Sequence, residues 1–249
     1  MRRAFELLYH QFAWAYDWVA AAFFRGEWRA WQRAVLPRTR AAPGSTVLEL
    51  GAGTGDLQID LRSAGLHAYG VDLSPAMLRR ARRKARRQGA PIPRLARARA
   101  QALPFPAAAF AAVVSTFPNE YIFDPVTLAE IRRVLRPGGR LVVVPSAALL
   151  PVDRAARLLD RFAGIVYGRP RPRTRTVAAR RGEIVAAFRR EPAFGPLVPN
   201  LEAAGFAVRV DTAERAVSVA VCVVAVKPPG ATRESGSPGS AARPDEDRE

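Results

Sequence analysis

The stretch Val-Leu-Glu-Leu-Gly-Ala-Gly-Thr-Gly-Asp at 47–56 constrains this chain more than any other. A β-branched apolar run ends around Glu49, and glycine recurs at Gly51, Gly53 and Gly55. An amphipathic pattern follows at once, with Leu57, Leu61 and Ala64 on one helical face. That order predicts strand, tight glycine turn and helix, with helix N-terminal amides brought up to an anionic ligand. A dinucleotide-binding loop carries its last glycine one residue later, in the spacing G-x-G-x-x-G. Here that position is Asp56, whose carboxylate repels a pyrophosphate. A ligand with a carboxylate and an ammonium but no phosphate suits such a loop better.

The rest of the chain alternates strands and helices. Strands are expected at 46–50, at 67–71 ending on Asp72, weakly at 93–98, at 111–115 and at 141–144. Ser74-Pro75 and Asp124-Pro125 read as helix starts. The first of these helices buries Met77, Leu78, Ala81 and Ala85, and the second Leu128, Ile131 and Leu135, before Pro137-Gly138-Gly139 ends it. Alternation of this kind implies a parallel sheet with right-handed crossovers. Two last strands, 206–210 and 217–226, are expected to pair through a polar turn at 211–215.

Run 47–56 resembles the first motif of the class I S-adenosylmethionine-dependent methyltransferases, and most of the chain can be laid over that family. It is most similar to the branch that includes quinone and small-molecule methyltransferases. The resemblance implies a Rossmann-like α/β fold: a mostly parallel seven-stranded sheet with an antiparallel C-terminal edge and helices on both faces. It also implies S-adenosyl-L-methionine as cofactor, bound by Glu49, Gly51, Ala52, Gly53, Gly55, Asp72, Leu73, Met77, Ala100, Gln101 and Ser115. Asp72 lies 21 residues after Gly51, the spacing of an acid that accepts both hydroxyls of a ribose. Leu73 and Met77 are expected over the adenine. Segment 98–106 resembles the third cofactor segment of the family, with Arg99 where an adenine-binding Asp is common and Ala111 where another Asp is common. Arginine has no acceptor, so the Ala100 backbone and Gln101 are left to read the base. The segment after the fourth strand lines the reacting methyl group in the family, which singles out Asn119, Glu120 and Tyr121. Tyr16-Asp17 resembles an N-terminal element that folds over the cofactor. No catalytic residue is fixed. Tyr16, Asn119, Glu120 and Tyr121 are the candidates, and His10 or Asp17 could also serve if a base is needed.

Composition excludes several classes. Cys222 is the single cysteine and His10 and His67 the only histidines, so neither a disulfide framework nor a Cys/His metal site can be built. No run has the ~18 apolar residues needed to span a bilayer. The net charge is +17, and 37 of the 39 basic residues are arginine. Without an RNA-binding motif this reads as a solvated basic surface, with no specific nucleic acid as partner.

The expected organisation is an N-terminal aromatic helical cap at 1–43, a methyltransferase domain at 44–228 with a lid-like insertion at about 147–200, and a disordered tail at 229–249. The cap is expected to end at Pro37 and the turn at 43–45. The expected activity is in-line transfer of a methyl group to a small-molecule or lipid-like acceptor in the cytoplasm, with peripheral membrane contact. An RNA or protein methyltransferase, motivated by the basic helix at 79–87, and a noncatalytic ligand-binding protein on the same fold are the alternatives.

Overall fold

A computed structural model of the chain describes residues 26–149, 181–191 and 194–229. The expected aromatic helix before residue 26, including Tyr9, His10, Tyr16 and Asp17, lies outside the described residues, as do 150–180 of the lid segment and the tail from 230.

The strands are β1 (Thr46–Leu50), β2 (His67–Asp72), β3 (Arg94–Arg97), β4 (Phe110–Thr116), β5 (Leu135–Leu149), β6 (Ala207–Arg215) and β7 (Ser218–Val226). The helices are α1 (Glu27–Arg33), α2 (Leu36–Thr39), α3 (Asp56–Ser63), α4 (Pro75–Arg87), α5 (Pro125–Val134), α6 (Arg181–Arg190) and α7 (Leu197–Ala203), with a 3-10 turn at Glu120–Phe123. One sheet holds all seven strands in the order β3-β2-β1-β4-β5-β7-β6. The first five are mutually parallel, and β7 is antiparallel to both β5 and β6.

Successive strand residues point to opposite faces, and both faces are covered. Leu48, Val113, Leu141 and Val221 pack with Ile131 of α5, Phe188 of α6 and Leu197 and Leu201 of α7. Val47, Ala112, Val142 and Cys222 pack on the other face with Trp31 of α1 and Leu57 and Leu61 of α3. This double coverage is why β4 and β7 read as nearly unbroken apolar runs. Burial raises the Cys222 thiol to about 11, which leaves it an inert core residue.

Three boundaries differ from the sequence expectation. Helix α5 stops at Val134, and Pro137-Gly138-Gly139 interrupts a strand rather than ending a helix. Leu135 already pairs with Phe110, the ladder resumes at Arg140 opposite Ala112, and the intervening residues bulge out with Gly138 at φ 72°. Strand β5 then runs on past Val144 to Leu149, with a register shift between Val143 and Ser146 around Pro145. Proline has no N–H for the ladder, so a bulge accommodates it. Finally, 211–215 is not a turn. Asp211 to Arg215 pair with β7, and Ala216-Val217 alone connect the two strands. Polar residues belong there because β6 is an edge strand, and Asp211 is held by Arg38 at 3.2 Å.

The described ends of the cap and of the lid segment both belong to the body of the fold. Trp31 is buried and donates its indole N–H to Ser218 Oγ at 2.9 Å, while Glu27 accepts from Ser218 Oγ and from Arg215. Pro37 lies in the first turn of α2 rather than ending a helix, because proline is tolerated where no intrahelical N–H is needed. Helices α6 and α7 pack against the sheet through Phe188, Leu197 and Val198.

Candidate functional site

In this sheet the chain leaves β1 outward through β2 and β3, then crosses back to β4. The order therefore reverses between β1 and β4, and open α/β sheets receive ligands at the carboxyl ends of the strands at such a switch. The glycine turn leaves β1 there, and the 116–123 segment leaves β4 beside it.

The turn needs its glycines. Gly51, Gly53 and Gly55 all have positive φ (72°, 51° and 84°), where a side chain is strained. A Cβ on Gly55 would also lie 2.8 Å from the Cβ of Ala81, so this glycine lets α3 and α4 approach closely. The turn is tied down by its own amides. Gly51 and Ala52 donate to the Val71 carbonyl, Gly53 to Asp72 Oδ2 at 2.9 Å, and Gly55 to the Ala52 carbonyl. These four donors are engaged within the protein, whereas the N-terminus of α3 that follows carries no side-chain cap.

Asp56 also behaves differently from the sequence argument. Its carboxylate turns back to Lys84 Nζ at 2.8 Å, so its charge is balanced within the protein. Asp60, one turn on, is balanced too. Burial raises its carboxyl, but hydrogen bonds from Arg33 and Arg29 outweigh this and hold it below the usual carboxylate range. The Asp56 charge is therefore matched by Lys84 rather than set against a ligand.

Asp72 remains. Its two oxygens accept from Gly53 N–H and Ser74 N–H, which fixes the carboxylate at the switch point. A carboxylate has about four acceptor sites, so two stay open, enough for a vicinal diol. Among the described residues no ion pair involves Asp72. Leu73 beside it is 54% exposed, a bare apolar face, whereas Met77 is buried in the contact of α4 with the sheet.

Glu49 lies beneath the turn rather than at its mouth. It is buried, and its Oε2 accepts from Gln58 Nε2 at 2.8 Å, while Gln58 also donates to the Tyr69 carbonyl. Burial pushes the Glu49 carboxyl up to about 8; the Gln58 hydrogen bond pulls against this, and Asp72, Asp56 and Asp60 add to it. The group is therefore neutral at physiological pH and clips β1 to α3. Gly70 leaves room for the clip, since a Cβ there would meet Leu95 at 2.7 Å, Ala52 at 2.9 Å and Gln58 Nε2 at 3.1 Å.

Ser115 and Tyr121 come together at the end of β4. Buried Ser115 Oγ lies 2.8 Å from Tyr121 Oη and donates to the Leu50 carbonyl. The tyrosine hydroxyl is thereby set under Gly51, where a Cβ would approach it to 3.1 Å. Asn119 and Glu120 are exposed on the same segment. Phe117, which the sequence reading passed over, has φ 51°, an uncommon conformation for a bulky side chain. Its ring stacks on Trp28 at 4.3 Å, and its N–H donates to the Val144 carbonyl at 2.7 Å. An aromatic residue just before a proline was the available signal.

At the third segment, Arg99 is exposed and bridges to Ala102, and Ala100 is half-buried. The Gln101 amide donates to Asp124 Oδ2 at 2.9 Å, leaving its carbonyl oxygen as the free end. Ala111 is buried at the amino end of β4, far from the switch, so its departure from the family pattern does not touch the site. A cleft of about 530 Å³ lies elsewhere, between α5 and α7, lined by Leu128, Arg132 and Asn200 among others. It contains none of these residues. Among the described residues no group of His, Cys, Asp and Glu could hold a metal, and no helix is long and apolar enough to cross a membrane.

Comparison with known proteins agrees with this geometry. Residues 47–139 match a family described as a methyltransferase domain. A demethylmenaquinone methyltransferase of Thermus thermophilus is 37% identical over 193 residues, covering 73% of this chain and 83% of that protein. One from Mycobacterium sp. (strain KMS) is 32% identical over 219 residues, 86% of this chain and 90% of that one. Among solved structures, a geranyl diphosphate C-methyltransferase from Streptomyces coelicolor in complex with S-adenosyl-L-homocysteine shares the fold with a TM-score of 0.52. It is 15% identical and covers 80% of this chain and 78% of its own. The chain belongs to the class I S-adenosylmethionine-dependent methyltransferases, on the branch that includes the quinone methyltransferases.

Proposed function

We propose that the acceptor is demethylmenaquinone, a ring compound with a long apolar tail, in its reduced form. The observation that carries this reading is the match to the demethylmenaquinone methyltransferase of Thermus thermophilus along 83% of that protein. The donor set supports the cofactor. Open acceptor positions on Asp72 suit the ribose hydroxyls, exposed Leu73 suits an adenine face, and the free carbonyl of Gln101 and the Ala100 backbone suit its amino group. Exposed Gly51 and half-buried Gly53, which lack side chains, let an amino-acid moiety approach.

The bound cofactor supplies a methyl group on a positively charged sulfur, already activated for displacement. The chain must hold the acceptor in line with it and exclude water. Tyr121, fixed by Ser115, and the exposed Asn119 and Glu120 border the acceptor side. The Phe117–Trp28 pair supplies an aromatic wall next to it. Methylation at a ring carbon of the reduced quinone would release the proton on that carbon, and the chain would have to supply a base for it. Glu120 is the described candidate for that base.

The test is incubation of the purified chain with methyl-labelled S-adenosylmethionine and reduced demethylmenaquinone. Label in menaquinone is the expected result. Cofactor binding without labelled product would refute this acceptor.

A further inference from the structure

Between Asp72 and Glu120 the chain has ten basic residues and no acidic one. Helix α4 holds seven of them, and its buried face (Met77, Leu78, Ala81, Ala85) fixes where the others point. Arg79, Arg83, Arg86 and Arg87 are all exposed, and their spacing of four, three and one residues makes them one stripe along the helix. Lys84 is not part of the stripe; it is bound to Asp56. Arg82 is likewise turned inward, donating to the Leu95 carbonyl. Among the described residues no ion pair involves any arginine of the stripe. At its end, in the loop leading to β3, Ile92 is 49% exposed.

Like charges at these spacings repel and weaken the helix. A last-turn position near the helix C-terminus offsets this for Arg86 and Arg87, but not for Arg79 and Arg83. An unbalanced cationic stripe ending in an exposed isoleucine is complementary to a surface that is both anionic and penetrable by an apolar side chain. We infer that the outer face of α4, with Ile92 at its end, docks the enzyme on an anionic phospholipid bilayer. A lipid surface is the favoured occupant because the proposed acceptor resides in a bilayer and Ile92 has no role against a phosphodiester backbone. In that respect the inference rests on the acceptor reading. The Asp72 end of α4 adjoins the cofactor edge of the sheet, so docking along this helix holds that edge beside the membrane.

The experiment is sedimentation of the full chain with quinone-free vesicles of phosphatidylcholine, with and without phosphatidylglycerol. Binding is expected only to the anionic vesicles, to weaken with salt, and to fall about fivefold for each arginine removed in Arg79→Gln, Arg83→Gln and Arg87→Gln. Ile92→Ser should weaken it further at fixed charge. A control removing the same charge elsewhere, by Arg136→Gln, Arg189→Gln and Arg209→Gln, should bind nearly as the parent does, with thermal melts verifying that each variant is folded. Equal loss in the control would overturn the inference, as would vesicle binding indifferent to the stripe. Stripe-dependent binding to RNA that outcompetes vesicles would overturn it in favour of a nucleic-acid partner. Methylation of a soluble short-chain quinone, measured without vesicles, tests the acceptor separately and should be unchanged in the stripe variants.

Discussion

Glu49 makes the stability of this fold depend on pH in an unusual direction. Its carboxyl rises from 4.5 to about 8 in the folded chain, chiefly through burial. At about 1.36 kcal/mol per pKa unit, that corresponds to roughly 5 kcal/mol between the two protonation states. Because the folded value is the higher one, the folded state holds a proton that the unfolded chain releases. The contribution is complete below pH 4.5, falls by about 1.4 kcal/mol per pH unit above it, and is lost once the pH passes about 8. Replacing Glu49 by Gln keeps the shape and removes the ionisation. Gln58 Oε1, buried without a hydrogen-bond partner, is left as an acceptor for the new amide N–H. Urea unfolding followed by tryptophan fluorescence, at several pH values from 5 to 9, should show the parent losing about 3–5 kcal/mol relative to Glu49→Gln across that range. The infrared carbonyl band of a neutral carboxylic acid at pH 7 should disappear in the variant. Parallel stability curves would refute the reasoning, and so would a parent that gains on the variant as pH rises.

Asp72→Asn leaves either the Gly53 or the Ser74 amide facing a donor and removes the ribose-binding charge. Cofactor affinity measured by calorimetry should fall at least tenfold, about 1.4 kcal/mol, and unchanged affinity would contradict the assignment. Gly55→Ala puts a Cβ 2.8 Å from Ala81 at φ 84° and should cost about 1–3 kcal/mol in chemical denaturation; a neutral result would mean that α3 and α4 have slack. Phe117→Ala removes the stack on Trp28 at 4.3 Å and should cost about 1–3 kcal/mol. It should also raise KM for the acceptor more than for the cofactor, and an equal rise in both would place the ring outside the acceptor wall.

The positions of most strands and helices were legible from the sequence because local signals carry them. Positive-φ glycines, the Ser74-Pro75 and Asp124-Pro125 starts and the apolar runs each fix a piece of backbone without reference to distant residues. The errors arose where tertiary pairing decided. Residues 211–215 look like a turn by composition, yet strand pairing with β7 outweighs it: on this edge strand Glu214 and Arg215 face solvent, and Asp211 is paired with Arg38. Pro137-Gly138-Gly139 resembles a helix stop, but the backbone uses it to loop out of a ladder already begun at Leu135. The inward course of Glu49 was hidden for the same reason. Whether a carboxylate at a strand end faces ligand or core depends on the helix packed above it, here through Gln58.

The charge arrangement around the glycine turn explains more than the motif does. Four carboxylates gather there, and each has a different fate. Asp56 is matched by Lys84, Asp60 by Arg29 and Arg33, and Glu49 is kept neutral by burial. Asp72 alone is held by backbone amides, which orient a carboxylate without cancelling its charge. The turn therefore stands beside one fixed negative charge, that of Asp72, which suits a ligand whose sulfur is cationic and whose sugar offers two hydroxyls. An argument from motif spacing rests on the charge of Asp56 instead, which Lys84 matches within the protein.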